Sequence, residues 1–138
     1  MKLKPTFLFA ATAVLIILSG VLTKSKTIDI NFHDTYFIIS YLNIAILFSL
    51  LTGLFSMIYF GLEKINRPIK LQTGFCHFGL LITALLVFLV SINALTTTNF
   101  NASKINGLTA LMSIGIILLL TSTIIFFYGV IKAIIKSL

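Results

Sequence analysis

Residues 36–62, YFIISYLNIAILFSLLTGLFSMIYFGL, run without one charged side chain. A bilayer core of roughly 30 Å is crossed by about 20 apolar residues wound as a helix, so this stretch alone can span a membrane. Three further stretches have the same character: about 6–23, 71–95 and 105–131. The links between them, 24–35, 63–70 and 96–104, are short. Pro68 stands before the third span, where its fixed φ suits a helix start. The expected architecture is all-α: one membrane domain over 1–138, a bundle of four transmembrane helices with short loops.

Composition agrees. Of the 138 residues 59% are hydrophobic and 9% charged, with a mean hydropathy of +1.15. Soluble domains hold about 45–50% apolar and about 25% charged residues. So few charges cannot cover this much apolar surface in water, so the first partner is the lipid bilayer. The net charge of +7 does not point to nucleic acid, because no basic face with interleaved aromatics accompanies it.

The basic residues instead flank the spans, and their imbalance orients them. Lys2, Lys4, Lys64, Arg67, Lys70, Lys132 and Lys136 fall on one side, and Lys24, Lys26 and Lys104 on the other. Both termini are therefore expected in the cytoplasm, and loop 24–35 outside a cell (inner or cytoplasmic) membrane. The first span has a second reading: a basic MKLK start, an apolar core and Ser19-Gly20 also suit a secretory signal. No A-x-A-like cleavage site is clear.

Loop 24–35 gathers most of the chain's rare chemistry. Asp29, His33, Asp34 and Tyr36 lie within DINFHDTYFII, residues 29–39, in a chain with three acids and two histidines. Asp34 sits where a helix N-cap could be. His33 and Asp34 could also hold a metal or face a partner.

The string DINFHDTYFII resembles the stretch that leads into the tenth helix of subunit I of the haem–copper oxidases, the cytochrome c and quinol oxidases. TGFCHFGLLI at 73–82 is similar to the start of that family's eleventh helix, and Ser113-Ile114-Gly115 to a spot in its twelfth. The resemblance implies a fold like the last four helices of subunit I. It also implies a Mg²⁺ or Mn²⁺ site at His33 and Asp34, completed by a carboxylate from another subunit, with Asp29 close enough in sequence to contribute. The haem centre does not carry over. The family's haem-binding histidines are matched by Tyr41 and Asn43, with Leu42 between, and Asn offers iron only a weak amide. Its Pro-Gln-His is matched by Ser91-Ile92-Asn93, its propionate-binding arginine pair is missing from 96–104, and its copper ligands belong to other helices.

The expected function is therefore a non-catalytic subunit I-like membrane protein, structural or accessory in a larger complex, with no haem cofactor and no catalytic residue. Partner subunits would meet Asp29, His33, Asp34 and the small pair Ser49 and Gly53, which permits close helix approach. One alternative is a component of a split oxidase in respiratory electron transfer. Another is a small channel or transporter, although the spans lack the polar stripes that pores show.

Six other features bear on packing and processing. Cys76 is expected buried as a small apolar side chain, and His77 packed against another helix. Glu63 and Arg67, four apart, suit a surface ion pair. Asn43 and Asn93 should face other helices rather than acyl chains, and Gly107, Ala110 and Ser113 form a small-residue ridge. Asn101-Ala102-Ser103 matches a glycosylation sequon.

Overall fold

A computed structural model describes residues 4–32, 35–97 and 102–135, with the backbone alone at 29–32, 35–37, 92–97, 102–106 and 108. Four helices dominate: α1 (Pro5–Leu22), α2 (Tyr41–Lys64), α3 (Leu71–Thr97) and α4 (Ala102–Ile135). Two strands, β1 (Thr27–Phe32) and β2 (Thr35–Ser40), separate α1 from α2. All four helices contain windows long and apolar enough to cross a bilayer. The chain divides into two compact units, Met1–Asn66 and Arg67–Leu138, each a pair of helices packed side by side.

In the first unit α1 starts on Pro5, whose missing N–H costs nothing at that position. Its last turn is closed by Thr23, which donates from both N–H and Oγ1 to the Ser19 carbonyl at 3.1 and 2.8 Å. The chain then enters an antiparallel pair of strands, registered from Thr27 opposite Ser40 to Phe32 opposite Thr35. The Tyr41 N–H donates to the Lys26 carbonyl at 3.1 Å, which fastens the hairpin base to the start of α2.

The hairpin corrects the expected second span, which begins at Tyr41 rather than near Tyr36. Thr35-Tyr36-Phe37-Ile38-Ile39 is a run of β-branched and aromatic residues, the types that favour a strand. The 24 residues of α2 already reach about 36 Å at 1.5 Å per residue, so the span does not need the five preceding ones. The cap moves with the helix start. Ser40 is the N-cap and its Oγ accepts from the Leu42 N–H at 3.2 Å. Six residues of strand separate Asp34 from α2, so Asp34 does not cap it.

α2 stops at Asn66, whose φ of 57° is the left-handed conformation that ends helices and that Asn tolerates. Its N–H donates to the Glu63 carbonyl at 3.1 Å. In the second unit α3 begins three residues after Pro68, with the Gly74 N–H on the Lys70 carbonyl at 3.0 Å.

The apolar side chains are distributed for lipid. Leu22, Leu50 and Met57 in the first unit are 85%, 68% and 76% exposed, as are Ile117 and Ile124 on α4 at 61% and 68%. The buried positions include Thr52, His77, Ser91 and Ser122, all at 0%. Exposed Leu and Ile, with Thr52, Ser91 and Ser122 buried along with Phe9 and Leu81, is an arrangement that lipid allows, because lipid removes the penalty on exposed apolar side chains.

Candidate functional site

Six positions of α2 follow one another at intervals of four and three: Ala45, Ser49, Thr52, Ser56, Tyr59 and Glu63. That spacing holds them on one stripe of the helix, and the stripe lies against α1. At one end, Glu63 Oε2 meets the Lys4 ammonium at 3.0 Å, while Oε1 accepts from Thr6 Oγ1 at 2.9 Å. Moving along the seam, Ser56 Oγ donates to the Thr6 carbonyl at 3.0 Å. Ser49 Oγ donates to the Ala13 carbonyl at 2.9 Å. Between these bonds Phe9, fully buried, stacks on Tyr59 at 5.3 Å and tilts against Phe55 at 5.9 Å. At the hairpin end Gly20 lies directly on the Ala45 methyl, with no room for a Cβ of its own.

Such a seam is costly to leave unmade in hydrocarbon, since every hydroxyl without a partner there loses its water without replacement. Here the hydroxyls of Thr6, Ser49, Thr52 and Ser56 each find a carbonyl or a carboxylate. Thr52 donates to the Phe48 and Ser49 carbonyls of its own helix at 2.9 and 3.1 Å. The arrangement locks two helices in one register and gives the carboxylate of Glu63 two donors near the end of its span.

The second unit uses the same devices more sparingly. Ser122 Oγ donates across the pair to the His77 carbonyl at 3.0 Å, and the His77 ring lies 5.1 Å from that of Phe126. Gly115 sits against Val87 and Phe88, and Gly129 against Ile69 and Thr73, each close enough that an added Cβ would crowd them.

The expected sites are placed as follows. His33 and Asp34 lie outside the described residues, as do the side chains of Asp29 and Asn93 and the sequon residue Asn101. Tyr41 and Leu42 are half-buried in the first turn of α2, where Leu42 lies beside Gly20 of α1. Asn43 is exposed, not turned to a neighbouring helix. Its place in the first turn of α2, beside the hairpin, puts the amide at the end of the span, where headgroups and water offer hydrogen bonds that hydrocarbon does not. Cys76 is exposed rather than buried. One residue further along α3 turns about 100° around the axis, so burial of His77 against α4 leaves Cys76 on another face.

Glu63 pairs with Lys4, not with Arg67, because α2 has ended before Arg67 and the four-residue spacing no longer means one helix face. Gly53 has nothing within 4 Å of where a Cβ would stand, and the same is true of Gly107. Gly107, Ala110 and Ser113 are exposed, so this ridge is turned away from α3. The close approaches fall instead at Gly20, Gly115 and Gly129. Among the described residues, no group of three His, Cys, Asp or Glu side chains comes together.

No family model matches the chain, and no solved structure matches it.

Proposed function

We propose that the chain is a non-catalytic membrane subunit, related to cytochrome c oxidase subunit I and structural or accessory in a larger membrane complex. The observation that carries this is the first turn of α2. Where the resembling family places its two haem histidines, this chain has Tyr41 and Asn43; Tyr41 is half-buried and Asn43 is exposed. An exposed amide is a poor iron ligand, and the Tyr41 phenol could stand in for at most one of the two imidazoles, so these residues do not fit the family's paired haem ligation. The seam of α1 and α2 is occupied by self-satisfied small polar groups, which supports a scaffold.

In this reading the hairpin of 27–40 faces outward and meets a partner subunit through Asp29, His33 and Asp34. Mg²⁺ or Mn²⁺ at His33 and Asp34 belongs to the same proposal, with the partner adding a carboxylate. Gly53, with open space above it, is the helix face on which a partner's helix would rest. Both termini lie in the cytoplasm of a cell membrane. Orientation is checked with Cys76→Ser and single cysteines at Lys26 and Lys64: an impermeant maleimide should label the first in intact cells and the second only after permeabilisation.

Purification of the tagged chain from its own host in mild detergent, with mass spectrometry and an absorption spectrum of one sample, tests the function. Membrane partners in fixed ratio without a haem band are expected. A Soret band in proportion to the chain would replace this reading with a split haem–copper oxidase, which the resemblance at 29–39 favours as the second reading. A chain that purifies alone from native expression levels would remove both.

A further inference from the structure

The α1–α2 pair carries a groove of about 400 Å³ that starts at the Lys4–Glu63 ion pair and continues between Phe7 and Ala10 on α1 and Met57 and Phe60 on α2. Two hydroxyls border it, and both are committed elsewhere: Thr6 to Glu63 and Ser56 to the Thr6 carbonyl. Below its rim the groove offers hydrocarbon contact. Phe7, Met57 and Phe60 are 69%, 76% and 53% exposed, so they stand as walls that nothing in this unit covers.

The rim has the opposite character. Lys4 keeps 65% of its side chain exposed although it pairs with Glu63. The Lys64 ammonium lies 5.4 Å from the centroid of the Phe60 ring, directly beside the groove wall. Two lysines against one carboxylate leave this end positive, and both have the long stems that let a lysine keep its charge at the headgroup level. The occupant that fits has an anionic head at the rim and a hydrocarbon tail directed into the span.

A rim of two lysines above a hydrocarbon groove matches an anionic headgroup with an acyl tail, whereas an apolar helix would leave those charges without a counterpart. We propose that this groove binds an acyl chain of an anionic phospholipid, whose phosphate is seated by Lys64 and Lys4.

Native mass spectrometry of the delipidated full chain tests this, with dioleoyl-phosphatidylglycerol and dioleoyl-phosphatidylcholine as probes. The wild type should retain one phosphatidylglycerol in preference to phosphatidylcholine. Lys64→Gln, which leaves the Lys4–Glu63 pair intact, should cut that preference about fivefold, the loss of one lysine's attraction to an anionic surface. Ala10→Phe fills the groove and should abolish retention of both lipids. If its helix content falls, Phe60→Ala, which removes a wall, takes its place and should also lose the lipid. Equal retention of the two lipids, or retention unaffected by the groove variants, overturns the proposal. So would a dimer that disappears with the groove variants, which would assign the groove to a second copy.

Discussion

The Ser122 hydroxyl donates a 3.0 Å hydrogen bond to the backbone carbonyl oxygen of His77, and both residues are fully buried between α3 and α4. The carbonyl belongs to a helix that already uses it along its own axis, so the bond adds a second donor without breaking the first. Ser122→Ala should therefore cost roughly 0.5–1.5 kcal/mol, the range for interhelical hydrogen bonds in membranes. Thr121 and Thr123, which donate to Ile117 and Leu119 of their own helix, should tolerate Ala with a smaller loss. Unfolding of the three variants in mixed micelles makes the comparison, and equal losses at all three would refute a specific role for Ser122.

Gly20 and Ala45 give a stricter test because the contact is backbone against methyl. A Cβ on residue 20 would overlap the Cβ of Ala45, and the two helices would have to part. Gly20→Ala should destabilise the α1–α2 pair by about 1–3 kcal/mol, as overpacking does elsewhere. Ala45→Gly in the same chain removes the opposing methyl and should recover a large share of that loss, beyond its own cost in helix propensity. Gly53→Ala, with open space around it, should be neutral or mildly stabilising in the isolated chain. Failure of Ala45→Gly to rescue would mean the helices do not cross at this point.

How much of this could be read in the sequence follows from what lipid does to hydrophobicity. The four spans were legible, because uncharged runs between lysines have no other stable solvent. The start of α2 was not: Tyr36 to Ile39 is as apolar as the helix that follows, and an apolar run by itself does not separate strand from helix. Faces were harder still. In water, burial sorts Leu from Ser; in lipid, Leu50 and Met57 are at home outside, and Thr52 and Ser122 are inside. The stripe from Ala45 to Glu63 was present at its four–three spacing, yet Ser49 and Gly53 formed an equally good pair on paper. Choosing between Thr52 and Gly53 requires knowing where α1 lies. Cys76 and His77 show the same difficulty at adjacent positions, since only the partner helix decides which is buried.

The ion pair at the open end of the α1–α2 seam should be weak and specific. Lys4 is exposed, so solvent and salt screen it. A double-mutant cycle with Lys4→Gln and Glu63→Gln should give a coupling of about 0.2–1 kcal/mol, falling as salt is raised. Thr6→Val should add a loss of its own, because the Glu63 carboxylate also accepts from that hydroxyl. Arg67→Gln should show no coupling to Glu63. Coupling of Glu63 to Arg67 in place of Lys4 would restore the simple four-residue pairing and place Arg67 on the helix.

The start of α2 separates two roles that the sequence places close together. Ser40 Oγ accepts from the Leu42 N–H, satisfying one of the donors that a helix start leaves without an internal partner. Replacing a serine cap by alanine costs about 1 kcal/mol in most helices. Ser40→Ala should therefore raise amide hydrogen exchange at Leu42 and Asn43 about fivefold if local fraying carries that full cost. Asp34→Asn should leave those amides unchanged, since β2 lies between residue 34 and the helix. The two variants also divide cap from partner contact: Ser40→Ala should loosen the helix start without releasing a bound subunit, whereas Asp34→Asn should weaken the subunit contact proposed for the hairpin. Protection lost at Leu42 in Asp34→Asn would show that residue 34 supports the helix start after all, and the hairpin would then have no separate role to assign.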